Sequence, residues 1–382
     1  MSMSQGHHPL SLGFIGGGLS SAVGRTHFSA SRMDGRWRLE AGVFSRNPVI
    51  NQETARQWNV DADRLHPTWA DLIENEAGRL DAVVVLTPTP DHVDQVCALL
   101  DADIPVICEK ALASSLEDAR RISRHYDPKS HFLAVTYNYS GYPIVRELRE
   151  LILSSYIGGI RHIRLEMPQE SFVRQLNGKV VIPQQWRLVD GSIPTICLDL
   201  GTHLHHLANF VTGKEPSEVF ARFANYSEFR DIIDNGEILL NYQDGITANF
   251  SFSKTEFGHR NGLSIRVYGD KGGAEWVQMN PEELTVALAD GTRLVLDRGG
   301  PNKIAGQSRY TRMKAGHPAG FVEAFANLYV DIADSLEAYK QGKDWSNPYV
   351  YGLDHAVYGL RILRAATVSH MTRQWQNLGT FE

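Results

Sequence analysis

A short stretch of the chain gathers side chains that could move a proton. Within Leu198–His206, Asp199 and His203 are four residues apart and His206 is seven from Asp199, so an α-helix would place all three on one face. A carboxylate that orients a histidine and stabilises its charged form makes a general base near neutral pH. The same residues could bind zinc or form a polar, structural helix face, and the spacing leaves these interpretations open. Because only a third histidine at ligand spacing supports zinc, we expect no metal.

A glycine-rich turn lies where a dinucleotide could bind. Gly16, Gly18 and Ser21 form a G-x-G-x-x-S pattern between an apolar run and a segment predicted to be helical. Glycines there permit a tight turn and a close approach of the backbone to a pyrophosphate, which rests on the helix N-terminus. A glycine pair alone could be an ordinary turn, but the strand–turn–helix context favours a dinucleotide site.

The corner after the second predicted strand bears on the choice of cofactor. NAD-binding domains usually carry an acidic residue there for the adenine ribose, whereas this corner reads Phe44-Ser45-Arg46-Asn47. A serine hydroxyl and an arginine suit a 2′-phosphate, although Arg46 could also be a solvated loop residue. The cofactor is therefore expected to be NAD(P), with a preference for NADP.

A lysine follows another apolar run. Cys108-Glu109-Lys110-Ala111 ends a segment predicted to be a buried strand. The carboxyl end of a parallel strand points into the crevice where ligands bind. Taken alone, Lys110 could equally be a surface lysine at a strand exit.

Together these motifs resemble the glucose–fructose oxidoreductase / inositol dehydrogenase / rhizopine-catabolism (Gfo/Idh/MocA) family. The resemblance rests on the glycine turn, Thr87-Pro88-x-x-x-His92, Glu109-Lys110 and Asp199-x-x-x-His203. The segments that resemble one bacterial subgroup are Tyr137–Pro143, Trp186–Arg187, Arg266–Gly273 and Gly316–Phe321. The similarity covers most of the chain in the same order.

The resemblance implies an NAD(P)-dependent dehydrogenase or reductase acting on the CH–OH group of a sugar, a sugar derivative or an inositol-like polyol. By that resemblance the catalytic candidates are Lys110, which would hydrogen-bond the reacting oxygen, His203, which would take the proton, and Asp199, which would orient His203. The residues expected to bind the cofactor are Gly16, Gly18, Leu19, Ser20, Ser21, Ser45, Arg46, Thr87, Pro88, His92, Glu109, Lys110 and Trp186. Those expected to contact the substrate are Tyr139, Arg187, His206 and His317.

Two positions depart from the family pattern. Ala111 stands where the family usually has proline after Glu-Lys, and an X–Ala bond, unlike X–Pro, is not cis at small cost. The geometry of Lys110 is therefore open. His206 stands where many relatives carry an acidic residue, which alters the expected substrate pocket.

The resemblance leaves two other functions open. One is the redox-neutral cleavage or epimerisation of a glycoside with tightly bound NAD, and the other is a non-enzymatic, cofactor-sensing regulator. The presence of Lys110, Asp199 and His203 together argues against the regulator, which would not need all three.

The apolar pattern predicts the elements that must position these residues. In the first third, short apolar runs alternate with segments of helical spacing, which is typical of a Rossmann doubly wound parallel sheet. The runs predicted to be strands are Leu12–Ile15, Leu39–Phe44, Asp81–Leu86, Pro105–Cys108 and Phe132–Val135. The segments predicted to be helical are Gln52–Trp58, His92–Leu100 and one that opens at Ser115.

The rest of the chain has a different pattern. From Arg161 to Arg298 it alternates as antiparallel strands do, interrupted by one helix around Leu198–Val211, and from Phe321 it is helical. The resemblance adds that this sheet is large and open, and that its exposed face supports oligomers. We therefore expect an NAD(P)-binding Rossmann domain at 1–135 and an α+β domain for substrate binding and oligomerisation at 136–382.

Composition limits the other classes of function. With 44 acidic and 38 basic residues among 382 and no long basic run, the chain lacks the cationic face that nucleic acid requires. Its apolar stretches are shorter than the roughly 18–20 residues of a membrane span. Its three cysteines, each in an apolar run, are too few for a disulfide framework.

The N-terminal segment and the open sheet bear on the compartment and the oligomeric state of the protein. The polar segment Met1–Pro9 lacks the apolar core of a signal peptide, so we expect a short frayed leader on a cytoplasmic protein. A broad sheet with one open face needs covering, which favours a homodimer or homotetramer. The expected partner is a small carbohydrate or polyol, with neither nucleic acid nor membrane.

Overall fold

A computed structural model describes residues 8–380, which form two compact units. The first unit comprises the chain up to Ala113, Glu117–Gly141 and Phe321–Ala356, and the second comprises Ser114–Leu116, Tyr142–Gly320 and the chain from Val357. The leader expected at residues 1–9 lies outside the described residues except for its last two.

The strands and helices are numbered along the chain. The strands are β1 (Leu10–Gly16), β2 (Trp37–Val43), β3 (Ala82–Leu86), β4 (Val106–Glu109), β5 (Leu133–Thr136), β6 (Ile160–Pro168), β7 (Gln175–Leu176), β8 (Lys179–Val180), β9 (Glu218–Ala224), β10 (Asn235–Asn241), β11 (Thr247–Ser253), β12 (Ser264–Gly269), β13 (Gly272–Val277), β14 (Glu283–Leu288), β15 (Arg293–Asp297) and β16 (Gln376–Asn377). The α-helices are α1 (Ala22–Arg32), α2 (Pro48–Trp58), α3 (Trp69–Glu76), α4 (His92–Asp101), α5 (Leu116–His125), α6 (Pro143–Leu153), α7 (Thr202–Thr212), α8 (Phe321–Lys340) and α9 (Leu353–Thr372). Single turns of 3₁₀-helix lie at Ala62–Arg64, Thr89–Asp91, Asn138–Gly141, Gln185–Leu188 and Ser308–Tyr310.

The first unit contains a five-stranded parallel sheet in the order β2-β1-β3-β4-β5. All residues of β3 are buried, as expected for a strand covered on both faces of such a sheet. The parallel strands and their alternation with helices confirm the predicted doubly wound parallel sheet.

The first unit also takes in α8, which packs against α1. Phe325, Tyr329 and Ile332 of α8 join the core that contains Phe14 of β1 and Trp58 of α2. The indole N–H of Trp37 donates to the main-chain oxygen of Tyr329 at 2.9 Å. Residues 321–356, which the sequence division assigned to the second domain, therefore lie in the first unit, because the apolar side of α8 completes its core.

The second unit is built on a nine-stranded sheet in the order β15-β14-β13-β12-β6-β11-β10-β9-β16. Neighbouring strands are antiparallel except β6 and β11, so the sheet is mixed and mostly antiparallel, as predicted. Helices α6 and α7 contact strands of this sheet. In β10 the buried residues Gly236, Ile238 and Leu240 alternate with the exposed Glu237 and Leu239, so one face of the sheet is packed and the other is open.

Two sequence expectations about composition can be compared with the fold. No helix within residues 8–380 has both the length and the apolar character that crossing a membrane requires. Cys97, Cys108 and Cys197 are free and buried, as their apolar surroundings predicted.

Candidate active site

The glycine turn follows β1 directly. Gly16 and Gly17 have φ angles of +84° and +73°, in the left-handed region that favours glycine. The Gly18 N–H donates to the Phe44 oxygen at the end of β2 at 3.1 Å, and a Cβ on Gly18 would lie 2.9 Å from that oxygen. Each of the three glycines is thus required by backbone conformation or by close approach.

Helix α1 begins immediately after the turn. Ser21 caps it by accepting a hydrogen bond from the Gly24 N–H at 3.1 Å, and the first turn contains no acidic residue. A Cβ on Gly24 would lie 1.7 Å from the Gly17 oxygen, so the helix packs directly on the turn. The N-terminus of α1 therefore offers an anion its positive end.

The corner after β2 presents Ser45 and Arg46. The Ser45 hydroxyl accepts from the Asn47 N–H at 3.1 Å, and Asn47 in turn caps α2. The Arg46 side chain is 88% exposed and pairs with Asp91 at 2.9 Å. The guanidinium is thus free to reorient toward solvent while its charge is balanced by one exposed carboxylate.

His92 connects the ends of β3 and β4. Its Nδ1 lies 2.9 Å from the Ala111 oxygen and its Nε2 lies 2.8 Å from the Thr87 oxygen. Burial lowers the pKa of His92, against the opposing effect of these two carbonyls. In this structure the His92 ring contacts main-chain oxygens at both nitrogens. Its expected contact with the cofactor stays a prediction.

Lys110 and Glu109 lie at the carboxyl end of β4. The Lys110–Ala111 peptide bond is cis, the geometry that the sequence left open. Lys110 is half-buried, whereas Glu109 is buried. Burial opposes the charge of Glu109, but the hydrogen bond from His27 and the positive charge of Lys110 outweigh it and lower its pKa. Glu109 is therefore a carboxylate at neutral pH.

In the second unit, the segment that carries Asp199, His203 and His206 starts in a π-helical turn. Cys197–Gly201 is π-helical and α7 begins only at Thr202, so the expectation of one continuous α-helix through Asp199 is wrong. A π-turn is wider than an α-turn, and the four-residue spacing from Asp199 to His203 therefore does not itself set a shared face. Gly201 permits the turn to approach α9, because a Cβ there would lie 2.9 Å from Leu363 Cδ2.

Asp199 is held by two cations of the same unit. Arg187 Nη1 donates to its Oδ2, and Lys254 Nζ lies 2.6 Å from the same oxygen. Lys254 also donates to Gln169 Oε1 at 3.1 Å, and its side chain is only 8% exposed. The structure thus brings Asp199 and Arg187 together and adds Lys254, which sequence reasoning missed.

The other residues predicted to bind substrate differ in exposure. His206 is 1% exposed, and its ring stacks on Phe210. Burial, followed by the nearby His205, His203 and Arg149, holds the pKa of His206 well below its usual range. Tyr139 is buried beside Phe321 in the first unit. His317 is exposed, while its main-chain oxygen accepts from Arg298 at 3.1 Å.

The predicted residues fall into two groups, one in each unit. At the carboxyl edge of the parallel sheet lie the residues that follow β1 to β4, which are Gly16, Gly18, Leu19, Ser20, Ser21, Ser45, Arg46, Thr87, Pro88, His92, Glu109 and Lys110. Trp186, Arg187 and Asp199 are linked in the second unit, where Arg187 stacks over the Trp186 ring at 4.4 Å. Within residues 8–380 there is no set of three or more His, Cys, Asp or Glu side chains placed to hold a metal ion.

Comparisons with known proteins agree with this architecture. Residues 10–137 match the family model described as oxidoreductase family, NAD-binding Rossmann fold, and residues 145–275 match the GFO/IDH/MocA C-terminal domain. The two models together cover more than half of the chain.

This chain belongs to the Gfo/Idh/MocA family of oxidoreductases.

Individual members of the family match nearly the whole chain. A crystal structure of an oxidoreductase from Sinorhizobium meliloti is 30% identical, with a TM-score of 0.84 and coverage of 97% of this chain and 100% of that one. An inositol dehydrogenase homologue from Azotobacter vinelandii, complexed with NADH and myo-inositol, is 26% identical, with a TM-score of 0.87 and coverage of 97% and 98%. The uncharacterised oxidoreductase YfiI of Bacillus subtilis (strain 168) is 29% identical over 92% of each chain.

The residues of this Gfo/Idh/MocA oxidoreductase fit a dinucleotide. The left-handed glycines leave the turn without side chains, and the capped N-terminus of α1, with no acidic residue in its first turn, suits a pyrophosphate. The protein is therefore an NAD-binding dehydrogenase of the class that acts on CH–OH groups.

Sequence signals exist for the residues that were missed. Gly24 lies inside a predicted helix, where an isolated glycine often marks close packing. Lys254 follows the last residue of β11 directly, as Lys110 follows β4.

Proposed function

We propose that this oxidoreductase transfers a hydride between NADP and a hydroxyl or keto carbon of a sugar, a sugar derivative or an inositol-like polyol. The observation that carries the proposal is Lys110 at the carboxyl edge of the same parallel sheet that bears the glycine turn. An ammonium group at this edge can stabilise the negative charge that develops on the reacting oxygen. The Azotobacter homologue with NADH and myo-inositol supports a polyol as the substrate class.

The chain's own residues would handle the proton and the charge. The bound nicotinamide supplies the hydride acceptor or donor. Lys110 Nζ would hydrogen-bond the reacting oxygen, and His203 would take the hydroxyl proton during oxidation and return it during reduction. Such acid–base catalysis contributes about 10²–10⁴-fold to the rate.

Asp199 would act as the positioning carboxylate for His203. Its hydrogen bonds from Arg187 and Lys254 favour the ionised form and fix the carboxylate in one place. A fixed anion beside α7 stabilises an imidazolium as His203 gains the proton. Arg187 would also present its remaining N–H groups to hydroxyl groups of the substrate.

The preference for NADP rests on the corner after β2. Arg46 is exposed, and its fork of donors matches a phosphate better than a ribose hydroxyl. Its partner is Asp91, which a doubly charged 2′-phosphate would replace. Ser45 adds a hydroxyl at the same corner.

We also propose a homodimer or homotetramer that covers the open face of the large sheet. The register places one row of residues across eight strands of that face, and none of its members is buried. The row consists of Phe220, Leu239, Asn249, Arg164, Arg266, Glu275, Thr285 and Val295. Apolar members such as Leu239 and Val295 favour burial against another copy.

The test is a panel of neutral sugars and inositols incubated with the protein and either NAD⁺ or NADP⁺. We expect nicotinamide reduction with at least one polyol, preferentially with NADP⁺. Lys110→Ala and His203→Ala should each lose about 10²-fold or more in kcat, whereas the exposed Lys129→Ala should keep wild-type activity. Product formed without net reduction, binding without turnover, or full activity in either variant would contradict the proposal.

A further inference from the structure

A buried group of four side chains in the first unit includes Glu109, the residue that precedes Lys110. His27 Nε2 is 2.9 Å from Glu109 Oε1, and His27 Nδ1 is 2.7 Å from the Tyr329 hydroxyl. The Thr136 hydroxyl donates to the same Glu109 oxygen at 2.5 Å. We call His27, Glu109, Thr136 and Tyr329 the Glu109 network; they come from α1, β4, β5 and α8.

One arrangement of protons satisfies the network completely. The Tyr329 O–H donates to His27 Nδ1, and His27 Nε2–H donates to the Glu109 carboxylate. Thr136 supplies a second donor to that carboxylate. Buried polar networks whose members are all satisfied are rigid, so Glu109 is held in one position.

Lys110 follows Glu109, a member of the network, directly in the sequence. Its positive charge lowers the pKa of Glu109, as does the hydrogen bond from His27. Burial disfavours a charge on the other titratable groups that interact with Glu109, since it raises the pKa of Cys108, Tyr137 and Tyr329 and lowers that of His92. The charge of Glu109 is therefore stabilised by the hydrogen bond from His27 and by the positive charge of Lys110.

We propose that His27 and Tyr329 are positioning residues for the reaction, which fix Glu109 as a carboxylate and through it the charge and direction of the Lys110 ammonium. This inference rests on the role proposed for Lys110. It gives α8 a part in catalysis, because that helix supplies the hydroxyl at the far end of the network.

A purely structural role explains the network less well. Burying a carboxylate with a histidine contributes little to stability, since apolar side chains of similar volume usually do as well. One end of the network is Glu109, which precedes Lys110, and the other end is the buried Tyr329. Its effect is thus directed to the end of β4.

Kinetics of Tyr329→Phe and His27→Asn test the proposal. We expect kcat to fall by about tenfold or more, with KM for cofactor and polyol within about twofold of wild type. The matched control is Tyr339→Phe on the same helix, whose hydroxyl donates to the Ser130 oxygen instead. Wild-type kcat in both folded variants would overturn the proposal.

A second measurement needs no turnover and so separates this proposal from the proposed function. An amine-specific reagent, 2,4,6-trinitrobenzenesulfonate, is applied to the full-length protein, and modification of Lys110 is followed by mass spectrometry. In Glu109→Gln and His27→Asn the ammonium loses its fixed counter-ion, so labelling should be about threefold to tenfold faster than in wild type or Tyr339→Phe. Equal rates in all four proteins would overturn the network's role, even if a polyol were oxidised. Faster labelling in a protein that oxidises no polyol would refute the proposed function alone.

Discussion

Arg46 is the residue on which the choice of cofactor depends. We predict that Arg46→Ala raises KM for NADP⁺ by about tenfold, since a charge-assisted hydrogen bond to phosphate is worth about 1.5–3 kcal/mol and exposure reduces it. KM for NAD⁺ should not change, because NAD⁺ has no 2′-phosphate for the arginine to bind. Steady-state kinetics with both cofactors give the comparison, with the exposed Arg56→Ala of α2 as the control. An equal change for both cofactors would contradict a role in recognising the 2′-phosphate.

Lys254 is the site residue added by the structure. Lys254→Met removes one of the two cations on Asp199, and we predict a fall in kcat/KM of about tenfold or more, as expected for a mostly buried hydrogen bond between charged groups. Lys254→Arg should recover part of the loss, because it restores the charge. Lys214→Met, which breaks an exposed pair with Asp244, is the control. Wild-type kinetics in Lys254→Met would remove this lysine from the site.

At this scale the sequence identifies residues better than it identifies their partners. Lys110 could be assigned from a strand end and a resemblance. The hydrogen bond between His27 and Tyr329 joins residues 302 positions apart, and each looks like an ordinary member of an amphipathic helix. Nothing in the pattern of either helix says that the two helices pack together.

At the scale of elements, α1 and the glycine turn form one packed unit. Gly24→Ala would place a methyl group 1.7 Å from the Gly17 oxygen. Alanine gains about 1 kcal/mol of helix propensity over glycine, but the clash with main chain exceeds it, so we predict a net destabilisation of about 1–3 kcal/mol.

Urea unfolding measures the change in stability for Gly24→Ala. Fluorescence titration with NADPH should also show weaker binding, because the helix must move away from the turn. Ser29→Ala changes an exposed position of the same helix and should leave both properties near wild type. Normal cofactor binding by Gly24→Ala would show that the glycine turn does not depend on how α1 packs against it.

The sequence predicts some elements better than others, and the difference has a physical cause. Strands β1 to β5 are apolar runs bounded by turn-forming residues, so their local sequence defines them to within two residues. The pattern of apolar residues did not predict the π-turn at Cys197–Gly201, where Gly201 lies close to Leu363, far along the chain. The placement of α8 likewise depends on a core to which it is not adjacent in sequence.

The whole molecule raises the question of what covers the open face of the large sheet. Its packed face carries a row of buried residues that includes Ile238, Phe250 and Leu165, and the row on the opposite face contains Leu239, 41% exposed, at the position next to Ile238. Alternation along each strand therefore places buried core residues on one face of the sheet and exposed side chains, some of them apolar, on the other. A second copy of the chain would cover that exposed face.

We predict that Leu239→Asp lowers the molar mass in solution to that of the monomer. An aspartate at the centre of such an interface would be buried without a partner, which costs more than the leucine contact contributes. Size-exclusion chromatography with light scattering measures the mass over a range of protein concentrations. Leu176→Asp, an equally drastic change on the exposed hairpin of β7 and β8, should leave the oligomer intact. A monomeric wild type, or an unchanged mass in Leu239→Asp, would show that this face is not the interface.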